Sequence, residues 1–367
     1  MRIKSLSLQN FRSYSSLDLD LQPGVTVFLG KNCEGKTNIV ESLLYLSFLS
    51  SHRTSSDQPL VQLGNSSAYV RTIVAREDRE VQIELEINAD KANRARINQN
   101  QTRSQKEIFG LVQAVYFSPE DLDLVRGDPS ERRKFIDQLI TLRSPRIAGA
   151  ISDFERALRQ RNSLLKQRAN QSSLQAWDEQ VAALGGEVIA ARLKTLKDFE
   201  PLFKEIYKEI SSEKPAWLAY KSSIEEPSDD AAENSKKILE RMSATRNSEI
   251  ERGLTLTGPH RDDLLLNLGE HLVKGYASHG ESWSIALALK LAMYQLLVND
   301  GLSPILILDD VFSELDEERR EHLIELAKRA EQTLITVAVE TDLPKELAGT
   351  RYAIKSGTAT ELNIGAN

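Results

Sequence analysis

The chain has 367 residues, a net charge of −7 at pH 7 and a single cysteine. This length leaves room for a large core and about two domains or lobes, and one cysteine excludes a disulfide framework and favours a reducing cytoplasm. The N-terminus lacks a signal-peptide pattern and no apolar run is long enough to span a membrane, so no membrane partner is expected. The acidic balance argues against a general nucleic-acid binder.

Positive charge is nevertheless concentrated in one segment. Residues 126–168 contain eleven Lys or Arg against five Asp or Glu. A partner with phosphates would therefore meet a patch of the surface and not all of it. Charge alone favours a solvated helix face equally well.

The first elements lead into a phosphate-binding loop. Alternation of apolar and polar residues over 3–8 and 17–21 predicts a hairpin-like opening. Arg12, between these strands, is either a surface residue or a residue over a nucleotide, and spacing leaves both open. Residues 25–29 predict a buried strand, and residues 38–50 predict a helix with a buried face.

The loop between that strand and that helix fits the pattern G-x-x-x-x-G-K-[ST]. Backbone N–H groups of such a loop surround phosphate oxygens, and the following helix N-terminus adds a partial positive charge. Lys36 is expected to reach the β- and γ-phosphates, and the Thr37 hydroxyl to bind Mg²⁺. The predicted phosphate-binding residues are Gly30, Lys31, Asn32, Cys33, Glu34, Gly35, Lys36, Thr37 and Asn38.

An antiparallel region and then a helical region follow. Residues 68–75 and 80–88 predict strands around the turn 76–79, and further strands are predicted at 94–98 and 112–117. Between about 130 and 250 the apolar spacing is three and four, with almost no β pattern, which predicts long amphipathic helices in an inserted arm. The acidic stretch Ser222–Asn234 within it predicts a mobile turn.

The return to the core begins with a predicted strand, turn and strand over Gly253–Leu266. His260 and its charged neighbours indicate either a metal or phosphate site or a salt-bridged turn, although their spacing is not that of metal ligands. Ser278 then precedes a helical run, and Glu281 three residues later completes a capping-box pattern.

The run 304–310 predicts a central parallel strand that ends in two carboxylates. Ligands bind at that edge of open α/β sheets. Beside the phosphate loop, Asp309 is the expected Mg²⁺ partner, and Asp310 is placed to orient or deprotonate an attacking water. Paired acids that merely end a strand are the plainer alternative. A charged helix at 317–331 and a buried strand at 334–339 complete the pattern.

Together these motifs resemble the RecF family of bacterial recombination mediators, which are ABC-type ATPases related to SMC proteins. The resemblance spans nearly the whole chain in family order. It is carried by Leu8–Arg12, the loop 30–38, Ser51–Ser55, Phe117–Leu122, Arg132-Arg133 with Asp137, Gln160–Lys166, Gly258–Asp263, Ser278–Gly280, Asp309-Asp310 and Glu314–Asp316.

The resemblance implies roles for individual residues. Ser278, Gly280 and Glu281 correspond to the ABC signature, which closes over the γ-phosphate held by a second subunit. Asp316 corresponds to the D-loop acid, and either Gln113 or Glu120 to the Q-loop residue. Arg12 resembles a nucleotide contact, and Arg53 an arginine that links nucleotide and DNA. The further DNA-binding candidates are Arg132, Arg133 and Arg161.

The implied fold is α/β, an ABC-ATPase head with a mixed β core, a parallel sheet beside the phosphate loop and an inserted helical arm. Residues 1–125 and 251–367 are expected to form the head, and 126–250 the arm on the signature side.

The implied cofactors are ATP and Mg²⁺. The implied function is an ATP-driven homodimer that clamps duplex DNA near single-strand gaps, releases it on slow hydrolysis, and helps RecO- and RecR-type partners load the recombinase. A nucleotide-switched protein-interaction module that does not bind DNA is the alternative, which the acidic net charge favours.

Three departures from the family pattern stand out. Cys33 replaces a frequent glycine, which matters if the position needs a positive φ. The signature continues as Glu281-Ser282-Trp283 in place of glutamines and an arginine. Thr336 and its neighbours stand where ABC ATPases have a switch histidine, so turnover is expected to be slow.

Overall fold

A computed structural model describes residues 1–77, 79–168, 171–211 and 214–362; Asp78, in the predicted turn 76–79, lies outside them. The strands follow one another in chain order as β1 (Arg2–Phe11), β2 (Tyr14–Asp20), β3 (Gly24–Leu29), β4 (Ser67–Arg76), β5 (Arg79–Asn88), β6 (Arg94–Ile97), β7 (Asn100–Gln101), β8 (Ala114–Phe117), β9 (Ala216–Lys221), β10 (Asp263–Leu268), β11 (His271–Leu272), β12 (Ile305–Asp309), β13 (Gln332–Val337), β14 (Thr350–Lys355) and β15 (Thr358–Leu362).

The α-helices are interleaved with these strands. They are α1 (Lys36–Phe48), α2 (Leu122–Arg126), α3 (Pro129–Arg143), α4 (Pro145–Lys166), α5 (Gln171–Ile210), α6 (Ala231–Arg252), α7 (His279–Asn299) and α8 (Glu317–Arg329). Among the described residues, no helix combines the length and apolar character that crossing a membrane requires.

The chain forms two compact units. The first combines Met1–Asp121 with Met293–Asn367, and the second is Leu122–Ala292. These bounds are geometric, and the expected functional division into 1–125 with 251–367 and 126–250 stays a prediction.

The first unit contains a mixed sheet in the order β15-β14-β3-β13-β12-β8. All neighbours are parallel except β14 and β15. Strand β12 lies next to the edge strand β8 and not at the centre of the sheet as expected, yet it buries Ile305 to Leu308 completely. Burial on both faces explains the unbroken apolar run, and each such side chain contributes roughly 1.5–3 kcal/mol. The parallel arrangement places the C-terminal ends of β3, β12, β13 and β8 at one edge.

The same unit contains an antiparallel sheet in the order β2-β1-β4-β5-β6-β7. The predicted opening hairpin is confirmed as β1 and β2, and the later pair as β4 and β5. Apolar side chains that alternate along these strands pack with α1 in one large core, which fixes the position of the helix behind the phosphate loop.

The second unit is mainly helical, with a core of residues from α4, α5 and α6 that includes Phe154, Val181, Ile238 and Met242. Within the described part of 130–250 the prediction of almost no β pattern is confirmed, with β9 as the exception, which pairs with β10 over six residues. The strand is short and partly exposed, so the alternation of apolar and polar residues gives little indication of it.

Two further expectations in this unit are corrected. Ser222–Asn234 is not a turn throughout, since its last residues, from Ala231, belong to α6; the Ser223 backbone N–H donates to Asp262 at 2.6 Å, and Asp230 caps α6. Its mobility stays a prediction. The first strand predicted within Gly253–Leu266 does not form, because this segment is irregular until β10 begins at Asp263.

Candidate nucleotide-binding site

The loop Gly30–Thr37 joins β3 directly to the N-terminus of α1. A Cβ at Gly30 would lie 2.4 Å from the Ile354 carbonyl oxygen, so β14 leaves room for glycine only. Gly35 has φ +111°, and a Cβ there would lie 2.7 Å from the Tyr14 hydroxyl. Cys33 is exposed and also has a positive φ, +70°, so the residue that replaces the family glycine holds a left-handed conformation.

Both predicted acids lie beside this loop at the end of β12. The Thr37 hydroxyl donates to Asp309 Oδ1 at 3.3 Å. The Lys36 Nζ lies 3.7 Å from Asp310 Oδ2, with Lys36 almost fully buried and Asp310 about one-third exposed. The structure therefore brings together an ammonium group, a hydroxyl and two carboxylates from segments 272 residues apart.

Two hydroxyls hold the Asp309 carboxylate from opposite sides. Tyr116 on β8 donates to Oδ2 at 2.9 Å, and Thr336 on β13 donates to Oδ1. Burial raises the pKa of Asp309, while the hydrogen bonds from Thr336 and Tyr116 oppose that rise by stabilising the charged form. Sequence reasoning missed both contacts, since their only signal is that β8 and β13 flank β12.

Asp310 is held by its backbone. Its φ of +50° is in the left-handed region, and its N–H donates to the carbonyl and hydroxyl oxygens of Thr336, each at 3.1 Å. This turn directs the second carboxylate toward Lys36 while Asp309 stays buried in the sheet.

Arg12 forms a bidentate pair with Glu41 of α1, at 2.9 Å from Nε and 2.5 Å from Nη2. Burial alone would raise the pKa of Glu41, but hydrogen bonds from Arg12 and Ser51 and the charges of Arg12 and Arg53 bring the pKa below its usual value. Glu41 is therefore a buried ionised carboxylate that sequence reasoning missed. A contact between Arg12 and nucleotide stays a prediction.

Arg53 lies close to the phosphate loop. Its Nη1 donates to Asn38 Oδ1 at 2.9 Å and lies 3.3 Å from Glu41, while 44% of the side chain is exposed. Asn38 in turn donates to the Ser13 hydroxyl at 2.9 Å. The predicted DNA-linking arginine thus contacts the residue that follows Thr37 and keeps an exposed guanidinium surface.

The structure distinguishes the two Q-loop candidates. Gln113 is buried, receives a hydrogen bond from Arg76 at 3.0 Å, and precedes β8 at the end opposite to Asp309. Glu120 is exposed, follows the C-terminal end of β8, and its charge is one cause of the raised pKa of Asp309. Gln113 is therefore excluded as the metal-side residue, and Glu120 stays a candidate.

The oxygens of Thr37 and Asp309 are hard donors that suit Mg²⁺. Among the described residues no group of three His, Cys, Asp or Glu forms a metal cage. Mg²⁺ usually takes only one or two protein ligands and completes its shell with water and phosphate, so this sparse set fits it.

The signature-like turn belongs to the second unit and forms a capping box. The Ser278 backbone N–H donates to Glu281 at 2.7 Å, and the Glu281 N–H donates to the Ser278 hydroxyl at 3.2 Å. Lys214 pairs with the same carboxylate at 3.0 Å. These bonds hold the pKa of Glu281 below its usual value, so a negative charge lies at the N-terminus of α7 near Gly280.

Asp316 is the N-cap of α8, where its side chain accepts the Arg319 N–H at 3.1 Å. Its role as a D-loop acid requires a second subunit and stays a prediction.

Two of the three remaining DNA-binding candidates are committed to internal contacts. Arg161 is fully buried and donates to Asp178 at 2.7 Å, Glu249 at 2.6 Å and Thr255 at 2.7 Å. Arg132 is buried and forms a bidentate pair with Asp263. The prediction that these two side chains contact DNA is wrong, because neither presents a surface to a phosphate.

Arg133 is partly exposed, and its Nη1 donates to the Asp262 carbonyl at 2.9 Å. The predicted turn around His260 is an internal network: Asp262 accepts from Tyr220 at 2.5 Å, and His260 contacts the Thr255 carbonyl at 3.2 Å. Burial lowers the pKa of His260 to about 4, so the ring is neutral near pH 7. Of the two interpretations of this turn, the structural network fits.

Comparisons with known proteins agree with this geometry. The model of the RecF/RecN/SMC N-terminal domain matches residues 2–356. A "DNA replication and repair protein RecF" of Streptomyces avermitilis is 48% identical over 98% of this chain and 99% of its own length. One of Rhodococcus erythropolis is 46% identical over 97% of this chain and 94% of its own.

Solved structures give the same result. A structure of the recombination mediator protein RecF-ATP in the RecFOR pathway superposes with a TM-score of 0.88 at 28% identity, and covers 98% of this chain and 97% of that one. The expected head fold, α/β with a mixed sheet, is thereby confirmed.

Proposed function

Because the chain belongs to the RecF/RecN/SMC N-terminal domain family, and within it to the RecF proteins, we propose that it is an ATP-dependent DNA-binding protein of recombinational repair and replication. Relatives at 48% and 46% identity bear the name of a DNA replication and repair protein. Such a role is carried out with DNA in the bacterial cytoplasm.

The observation that carries the proposal is the convergence of Lys36, Thr37, Asp309 and Asp310 at the glycine loop. Lys36 would exchange the nearby carboxylate for the β- and γ-phosphates of ATP, and the loop N–H groups would surround their oxygens. Thr37 and Asp309 would hold Mg²⁺, which when bound offsets phosphate charge. The related RecF-ATP structure supports ATP as the nucleotide.

Hydrolysis is proposed to be weak and to act as a switch. Asp310 has a partly exposed carboxylate at the loop, where it can accept a hydrogen bond from an attacking water and orient it. Thr336 stands in place of the switch histidine, and its hydroxyl is committed to Asp309. A second donor near the γ-phosphate is thus absent from this position, which slows turnover.

ATP would join two copies of the chain head to tail. Ser278, Gly280 and Glu281 of one copy would close over the γ-phosphate bound by the other, since a helix N-terminus presents N–H groups to an anion. Asp316 would contact the same interface. The closed dimer would clamp duplex DNA near a gap, with Arg53 and Arg133 among its contacts. It would then help RecO- and RecR-type partners load the recombinase.

The test is light scattering with ATP, ADP or no nucleotide, with and without gapped duplex DNA. The wild type should dimerise with ATP only. Lys36→Ala should abolish nucleotide binding and dimerisation, whereas Asp310→Asn should dimerise but hydrolyse poorly. Lys91→Ala removes an exposed lysine of the same unit and serves as the matched control. ATP-dependent dimerisation of Lys36→Ala would contradict the model.

The alternative function, a nucleotide-switched protein-interaction module, is favoured by the net charge of −7. It predicts that DNA changes neither the dimer population nor ATP turnover. A DNA clamp predicts binding that weakens steeply with salt, because each phosphate contact releases counterions. A flat salt response would support the alternative.

A further inference from the structure

Both oxygens of the Asp309 carboxylate accept hydrogen bonds from neighbouring hydroxyl groups. Its Oδ1 accepts from Thr336 and Thr37, and its Oδ2 accepts from Tyr116 at 2.9 Å. With both oxygens bonded from the two flanking strands, rotation of the carboxylate is restricted. The Oδ1 atom is thereby kept next to the Thr37 hydroxyl, the other proposed metal ligand.

Tyr116 is itself held by His52. The Tyr116 oxygen lies 3.3 Å from His52 Nε2, and the two rings are in contact with centroids 4.8 Å apart. A phenol has one proton, and Tyr116 donates it to Asp309. With that proton committed to Asp309, we assign the Nε2–H tautomer to His52, in which the ring donates to the Tyr116 oxygen.

The segment that carries His52 also binds the other side of the site. Ser51 donates to Glu41 Oε1 at 2.6 Å, and Arg53 donates to Asn38 Oδ1 at 2.9 Å. Asn38 directly follows Thr37. His52 thus reaches Asp309 through Tyr116, and the next residue, Arg53, contacts the neighbour of Thr37, so one short segment lies beside both proposed metal ligands.

We propose that Tyr116 and His52 are positioning residues that set the Mg²⁺ affinity of the nucleotide site by fixing the orientation of the Asp309 carboxylate. This inference rests on the proposed function, because it concerns the same ATP–Mg²⁺ site. Partners that orient a ligating carboxylate typically change metal affinity by about 10–100-fold when removed. Both residues act through Asp309, which is a proposed metal ligand and not a phosphate ligand, so binding of metal-free nucleotide should not depend on them.

The experiment measures binding of a fluorescent ATP analogue in EDTA and across a Mg²⁺ titration, which needs no turnover. Tyr116→Phe keeps the ring and removes the hydroxyl. Its affinity in EDTA should stay within about twofold of wild type, while the Mg²⁺ concentration for half-maximal effect should rise about tenfold. Tyr45→Phe is the matched control, because Tyr45 is buried and donates to Asp57 at 2.7 Å.

His52 is tested by a pair of variants. His52→Ala should shift the Mg²⁺ titration in the same direction as Tyr116→Phe, and His52→Gln, whose amide can donate to the Tyr116 oxygen, should restore part of the affinity. An unshifted Mg²⁺ titration in Tyr116→Phe, or an equal loss in EDTA, overturns the inference. Failure of the wild type to bind nucleotide in either condition would instead overturn the proposed function.

Discussion

Arg161 is expected to stabilise the fold and not to contact DNA. Its guanidinium is fully buried and pairs with two carboxylates, Asp178 and Glu249, which are 5% and 0% exposed. Asp178 has a second partner in Arg246, and Glu249 also accepts the Leu256 N–H at 2.8 Å. Glu249 has no other ion pair among the described residues. Loss of Arg161 would therefore leave one buried carboxylate without a countercharge.

The expected effect is large. Arg161→Met keeps much of the apolar stem and removes the charge, so the loss reports the broken network and not a cavity. Breaking a buried pair by removing one partner costs about 3–5 kcal/mol in the free energy of unfolding. For a unit of this size that lowers the melting temperature by roughly 10 °C.

The assay is chemical and thermal unfolding of the full chain, followed by DNA binding well below the melting temperature. Arg159→Ala is the matched control, since this arginine lies two residues before Arg161 on the same helix and is 69% exposed. It should change the free energy of unfolding by less than about 0.5 kcal/mol. A variant Arg161→Met of wild-type stability with reduced DNA affinity would refute the assignment.

Three further predictions concern other residues. Cys33→Gly should stabilise the protein by about 1 kcal/mol, because a φ of +70° strains a residue that has a side chain, and Gly35→Ala should destabilise it. Thermal unfolding of both variants tests this. A lower melting temperature for Cys33→Gly would contradict backbone strain at Cys33. Glu281→Gln keeps the capping bonds and removes a negative charge near the proposed γ-phosphate, so ATP-dependent dimerisation should strengthen several-fold by light scattering; a weaker dimer would contradict repulsion between the Glu281 charge and the γ-phosphate. His260 has a pKa of about 4 when folded and about 6.5 when unfolded, so the unfolded chain binds more protons between these values and stability should fall by on the order of 3 kcal/mol as pH drops from 6.5 to 4. Unfolding of His260→Gln across this range should show a flatter pH dependence, and an equally steep one would exclude His260 as the cause.

The phosphate loop could be predicted because its causes are local. The signals all lie between Val25 and Phe48. They are a buried apolar run, two glycines at positions where the backbone is crowded or left-handed, and the start of a helix. The frequent family glycine at position 33 raised the question of a positive φ there, and Cys33 has a φ of +70°. Periodicity of two or 3.6 residues then gave the type of most strands and helices.

The contacts around Asp309 could not be predicted in the same way. Tyr116 is 193 residues from Asp309, and Thr336 is 27 residues away. They meet it only because the sheet order places β8 and β13 on either side of β12. Strand order is set by packing of the whole unit, so no window of sequence contains it.

The sequence also did not show which charged side chains are buried, and their burial changes the argument for DNA binding. Of the basic residues in 126–168, Arg132 and Arg161 are internal, while Arg146, Arg156 and Arg159 remain largely exposed, at 86%, 69% and 69%. The latter three also have acidic partners within 4 Å, so one copy offers DNA a smaller positive field than the residue count suggests. Weak attraction in one copy becomes useful when two copies bind the same duplex, because the second set of contacts then forms at high effective concentration. The proposed DNA clamp therefore predicts an affinity for DNA that depends on dimerisation, so that control of dimerisation by ATP would control DNA binding.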